Sequence, residues 1–200
     1  MLVAVGAVAL LAVLRPWSVR PIAKAPAARA SFDAVAYADS IWPQVLEEAA
    51  AAEDVAGALE EHDARSGADS GPTAKTPLFV EGSGVVTEVD VGSRVGRLRL
   101  RLDGFPDGEL VIQVGPVLRG TALRDALSLV RFTDFANQSQ FAAVANALND
   151  KLLRSVLGDL DPQALVGRRL SFSGATELGG PPATALEVVP VSLEIMEEAR

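Results

Sequence analysis

Two hundred residues of 20.8 kDa provide for one ordinary domain and a tail, not two large domains. Hydrophobic residues make up 49% but aromatics only 5%, so Ala, Val and Leu must build the core, and 22% charge excludes a wholly disordered chain. A net charge of −8 argues against duplex DNA or anionic lipid as main partner; no Cys and a single His, His62, remove thiol chemistry and His- or Cys-rich metal sites.

Leu2 to Leu14 is an unbroken apolar and Gly run closed by Arg15-Pro16. It is too short to span a bilayer comfortably, which takes about 20 residues, and suits the apolar region of a secretory signal. No Lys or Arg precedes it, whereas Arg15, Arg20, Lys24 and Arg29 follow it. Taken alone, those flanks would hold the following domain in the cytoplasm. The expectation that reconciles the two is a start further upstream with its own basic region. Residues 1–14 are thus read as a signal or membrane anchor, and 15–31, with three prolines, as an extended linker.

Residues 32–65 read as N-terminal helices. Ser31 is expected to cap a helix from Phe32, with Asp33 in its first turn and Phe32, Val35, Ala36 and Ile41 as its buried stripe. Pro43 is expected to open a second helix running toward Glu61, with His62 in a polar loop approach. Residues 66–77 read as a loop rich in Gly, Ser, Asp, Pro and Thr.

From residue 78 to 200 the pattern changes. Val85–Val91, Arg97–Leu102 and Leu110–Val114 read as strands, with Phe105-Pro106-Asp107-Gly108 as a turn. Thr121 opens a helical region broken near Phe132-Thr133-Asp134, and Phe141, Val144, Ala145, Leu148, Leu152 and Val156 share one helical face. Arg168–Thr176 and Leu186–Ile195 are the last strands, joined at Gly179-Gly180-Pro181-Pro182. Three strands, helices, then two strands is the order of an OB-like five-stranded Greek-key β-barrel, with its helices between strands 3 and 4. The expected class is therefore α+β, an OB-like barrel preceded by a helical segment. An open α+β sandwich is the alternative; closure is preferred because it hides the strand edges.

Three strings bear on family: Phe32-Asp33-Ala34-Val35-Ala36-Tyr37-Ala38-Asp39-Ser40-Ile41-Trp42-Pro43-Gln44, the stretch from Gly115-Pro116-Val117-Leu118-Arg119-Gly120 to Asp125-Ala126, and Phe132-Thr133-Asp134-Phe135-Ala136-Asn137-Gln138 with Asn146-Ala147-Leu148-Asn149. Together they resemble the family called domain of unknown function 2291, predicted periplasmic lipoproteins. Members are often encoded beside sugar ABC-transporter genes, so the resemblance implies an extracytoplasmic location and a link to transport. This chain departs from the lipoprotein description in having no Cys to acylate.

No nucleophile–base pair or metal set can be assembled, and no cofactor motif is found, so a non-enzymatic protein is expected. Asp33, Asp39, Glu47 and Glu48 read as cap or solvated carboxylates rather than an acid–base pair. Gly82-Ser83-Gly84 resembles a phosphate loop only loosely, because a strand and no Lys-Ser/Thr follows it. Arg97, Arg99 and Arg101 alternate with Leu98, Leu100 and Leu102. They form either a solvated strand face or a surface for an anionic ligand or acidic partner. Without stacking aromatics there, nucleic acid is not expected.

The foremost candidate site joins Arg119, Arg124 and Asp125 to the amides Asn137, Gln138, Asn146 and Asn149, with Gln140 nearby. Such groups hydrogen-bond a small polar, sugar-like ligand or a transporter component; equally, they cap helices and pair locally. The expected protein is a membrane-anchored extracytoplasmic accessory or binding protein. The alternative is an interaction module that docks a membrane partner without a small ligand.

Overall fold

The computed structural model describes residues 32–65, 75–104, 109–179 and 186–196. The expected anchor, the linker, the Ser31 cap, the Phe105–Gly108 turn and residues 180–182 of the last turn lie outside the described residues. So do residues 66–74 of the expected loop.

Helix α1 spans Ala34–Ala50 and begins two residues later than the sequence suggests, because Asp33 is its N-cap. The Asp33 carboxylate accepts from Val35 N and Ala36 N, both at 3.0 Å. That start sets the helical phase: Ala38, Ile41, Val45 and Ala49 are buried, while Val35 and Ala36 face outward, contrary to the expected stripe. Pro43 lies inside α1 and opens no second helix. Its missing N–H removes one ladder bond, which the buried stripe on either side of it outweighs.

A two-residue strand β1 (Glu53–Asp54) follows, then α2 (Val55–Arg65), which includes His62 where a loop was expected. Asp54 Oδ2 accepts from Gly57 N at 3.0 Å, so the turn into α2 is capped.

Strand β2 is Thr76–Asp90, nine residues longer at its start than the pattern around Val85 indicates. It pairs twice. Thr76 to Val85 run antiparallel to β5 (Arg169–Leu178), and Gly84 to Asp90 run antiparallel to β3 (Arg97–Leu102). The two pairings overlap at Gly84 and Val85. A Cβ on Gly84 would strike the Arg101 carbonyl, so only Gly lets the two backbones meet there. Strand β4 (Glu109–Gln113) continues from β3, and β6 (Leu186–Met196) pairs parallel with β4 and antiparallel with β5.

The pairings β2–β3–β4–β6–β5–β2 close a five-stranded barrel, to which β1 adds a sixth, short parallel strand on β2. The expected class stands, with one strand more. Leu98, Leu100, Leu110, Ile112, Leu170 and Val188, each at most 1% exposed, fill the interior.

Between β4 and β5 lie α3 (Ala122–Asp125), a 3-10 turn at Phe132–Asp134 and the long α4 (Gln138–Ser155). Val144, Leu148 and Leu152 of α4 are fully buried, with Phe141 and Val156 packed beside them, as the spacing predicts. Helix α1 is part of the same core. Lys151 Nζ reaches Asp39 across α1 and α4, and Glu48 accepts from both Ser128 N and Ser128 Oγ. Residues 32–65 are thus no separate body: Phe32 to Arg200 form one compact unit.

Candidate functional site

The loop from Val114 to Thr121 leaves β4 at one end of the barrel and is fixed from three sides. Gln113, 3% exposed, uses both ends of its amide: Oε1 accepts from Arg119 N at 2.7 Å and Nε2 donates to Arg119 O at 3.2 Å. Asn149 of α4 donates to Gly120 O at 3.2 Å, and Gly120 takes the left-handed φ of 92° that the turn demands. Arg124 lies beneath. Its Nε and a terminal nitrogen each stand 2.7 Å from Asp125 Oδ1, and another donates to Phe141 O at 3.1 Å. Its guanidinium carbon sits 3.6 Å above the Phe141 ring, and Thr121 Oγ1 donates to Asp125 Oδ2 at 2.6 Å.

The fourth support is the loop between β2 and β3. Val114 N donates to Gly96 O at 3.2 Å, Gly115 N to Val95 O at 2.5 Å, and Val117 N to Arg94 O at 3.1 Å. Gly96 has φ 56°, and a Cβ on Gly115 would fall against the Val95 carbonyl; backbone alone fits between the loops. Residues 91–96 and 115–120 contain two arginines, Arg94 and Arg119, and no carboxylate. Both are exposed, and neither guanidinium makes a hydrogen bond or ion pair with the described residues.

The structure therefore separates the residues that the sequence grouped. Arg124, Asp125 and Asn149 come together under the loop as its internal supports. Asn137 caps α4, its Oδ1 accepting from Gln140 N at 3.0 Å, while Gln140 Oε1 accepts from Ala136 N at 3.0 Å. Gln138 and Asn146 are exposed on α4. Only Arg119 combines a fixed backbone with a free charged side chain.

The alternating arginines do share the outer face of β3. Arg97 faces Glu187 at 3.6 Å; Arg99 faces Glu88 at 3.2 Å and Glu109 at 2.9 Å. Two of the three are thus matched by carboxylates, Arg99 from both neighbouring strands and Arg97 from β6, one strand further on. Arg101 stays exposed. Of the four acidic residues weighed for acid–base chemistry, three have structural partners (Asp33 the helix cap, Asp39 Lys151, Glu48 Ser128), and Glu47 is exposed on α1. No grouping of His, Asp and Glu suited to a metal ion occurs among the described residues.

Sequence reasoning missed Gln113 and Arg94. Gln113 reads as the polar end of a strand, and only the depth of its burial reveals its role. It also missed a cluster at the other strand ends. Ser83 Oγ donates to Asp103 Oδ2 at 2.7 Å, and Arg169 binds the same oxygen. The Ser83 hydrogen bond, followed by Arg169, holds the Asp103 carboxyl below the usual carboxylate range against the opposing effect of burial.

A closed five-stranded barrel, with helices between its third and fourth strands, defines an OB-fold protein. The crystal structure of an OB-fold protein from Thermotoga maritima matches with a TM-score of 0.61 at 18% identity, over 82% of this chain and 99% of that one. The family model for predicted periplasmic lipoproteins, domain of unknown function 2291, matches residues 4–194, and the chain belongs to that family. The family description sets it outside the cytoplasm. No curated protein matches significantly. Among the described residues no helix is long and apolar enough to cross a membrane.

Proposed function

We propose that the protein is a non-catalytic accessory protein, tethered through residues 1–14, whose 114–121 loop binds an acidic segment of a membrane transporter component. One observation carries this reading. Of the four buried polar side chains among the described residues, two (Gln113 and Asn149) bond the backbone of a single surface loop, and a third, Arg124, reaches it through Asp125, which accepts from Thr121. A loop fixed in advance loses little conformational freedom on binding. It offers Arg119 beside a second arginine-bearing loop, in a chain whose net charge is −8. A cationic spot on an acidic protein selects acidic partners by contrast with its surroundings.

The family resemblance supports a transporter as partner, because related genes often neighbour those of sugar ABC transporters. The test is photo-crosslinking in native membranes, with the crosslinking amino acid at position 119 and, as a control, at exposed Arg154 of α4. The expected result is an adduct with a transporter subunit, identified by mass spectrometry, from 119 only. No adduct at 119, or equal adducts at both positions, would refute the assignment.

A further inference from the structure

On the barrel wall away from the 114–121 loop lies an open cleft of about 600 Å³, lined in part by Glu81, Ser83, Asp103, Ser171 and Phe172. Its volume is within the range of about 300–1,000 Å³ of small-molecule sites. Strand register builds its polar wall. Ser83 of β2 stands directly opposite Ser171 of β5, and Ser171 stands opposite Glu194 of β6. Asp103, just beyond β3, is tied to Ser83 through its own N–H, which donates to Ser83 O at 2.9 Å, and through the Ser83 hydroxyl. Glycines at 82 and 104 add no side chains to the lining, and the neighbouring surface is apolar, with Val55, Leu102 and Met196.

We propose that this cleft binds a neutral polyhydroxylated molecule through two adjacent hydroxyl groups. Asp103 offers the acceptor. Both Ser83 and Arg169 bond its Oδ2, and Oδ1 makes no hydrogen bond with the described residues. Ser171 offers a hydroxyl without a hydrogen-bond partner among the described residues, able to donate or accept. Arg169, hydrogen-bonded to Asp103 through one nitrogen, keeps further N–H donors at the rim, its side chain 41% exposed. A free carboxylate oxygen, an adaptable hydroxyl and spare guanidinium donors together match a vicinal diol, each of whose hydroxyls both gives and takes a hydrogen bond.

Charge narrows the ligand class. The lining carries the carboxylates of Asp54, Glu81 and Asp103 against the single guanidinium of Arg169 at the rim, so the cleft stays net negative and disfavours a phosphate or carboxylate ligand. Asp103 is paired with Arg169, and the carboxylates among the described residues do not converge into a group that could hold a metal ion. Because Ser83 and Arg169 keep Asp103 ionised, the acceptor persists into mildly acidic conditions. The proposal does not rest on the Arg119 loop, and either can fail without the other.

The test is a titration of the ¹⁵N-labelled full chain in detergent micelles with D-glucose, D-galactose and D-ribose. Glycerol 3-phosphate serves as an anionic probe and ethylamine as a cationic one. The expected result is saturable movement of the Ser83, Gly104 and Ser171 amides with at least one sugar and with neither charged probe. Asp103→Asn should weaken that sugar tenfold or more. Ser171→Ala, which breaks no hydrogen bond among the described residues, should weaken it by a smaller factor with the fold unchanged. No saturable movement with any sugar, a response to a charged probe instead, movement confined to residues 114–121, or binding unaltered in both variants would each overturn the proposal.

Discussion

Arg124→Met tests whether the buried guanidinium, which bonds Phe141 of α4 and Asp125, and through Asp125 meets Thr121, holds the 114–121 loop to α4. The substitution keeps the volume and apolar contact of the side chain but removes its charge and donors. Lost are the paired contacts to Asp125 Oδ1 at 2.7 Å, the bond to Phe141 O at 3.1 Å and the stacking 3.6 Å above the Phe141 ring. Hydrogen bonds to charged groups contribute about 1.5–3 kcal/mol and a partly desolvated cation–π contact about 1 kcal/mol. Asp125 keeps Thr121 as a donor, and its side chain is 29% exposed, so water covers part of the loss. The expected destabilisation is about 3 kcal/mol. At roughly 2–4 °C per kcal/mol for a chain of this size, the melting temperature should fall by about 6–12 °C. Chemical denaturation of the parent, Arg124→Met and Arg119→Ala measures it. Arg119→Ala should stay within about 0.5 kcal/mol of the parent, as surface changes usually do. Equal losses in the two variants, or a loss below about 1 kcal/mol in Arg124→Met, would refute the division between support and recognition.

Leu148→Asp places a carboxylate at a site with no exposure, a cost of several kcal/mol against a total of about 5–15; circular dichroism should show an unfolded chain at growth temperature. Gly84→Ala drives a Cβ into the Arg101 backbone where β2 changes partner, so it should destabilise by more than the roughly 1 kcal/mol usual for a point substitution, read by thermal melting. Tyr37, the only tyrosine, has its pKa raised by burial first and the Asp134 charge second. Its tyrosinate absorbance should appear above the ordinary pH range. The stability it contributes is complete below the unfolded pKa of about 10 and lost as pH rises through the folded value; an ordinary titration would contradict the packing.

What the sequence made legible follows period and punctuation. Arg97–Leu102 alternates strictly and forms a strand with those bounds, because alternation admits one buried face only. The α4 stripe was equally plain. The front half of β2 was not, since Pro77, Gly82, Ser83 and Gly84 read as loop and only the long partner β5 makes them a strand. Pro43 misled for a related reason: its intrinsic cost in a helix is local, whereas the burial that overrides it comes from α4 and the barrel.

The candidate site shows the same limit in a sharper form. Arg119, Arg124, Asp125 and the amides share a composition suited both to binding and to internal support, and sequence contains no measure of burial to tell the two apart. Arg119 and Arg124 are five positions apart in chain order, the first exposed and the second buried. A buried side chain whose every nitrogen is engaged by its own chain has little left for a partner, so the burial of Arg124 disqualifies it as a contact. Its neighbour gains by the same arrangement. Once Gln113 and Asn149 fix the backbone at 119 and 120, the Arg119 guanidinium is presented from a rigid base. Substituting the supports should therefore impair recognition through loop order, slowing the formation of the complex, while substituting Arg119 should hasten its dissociation and leave the fold intact.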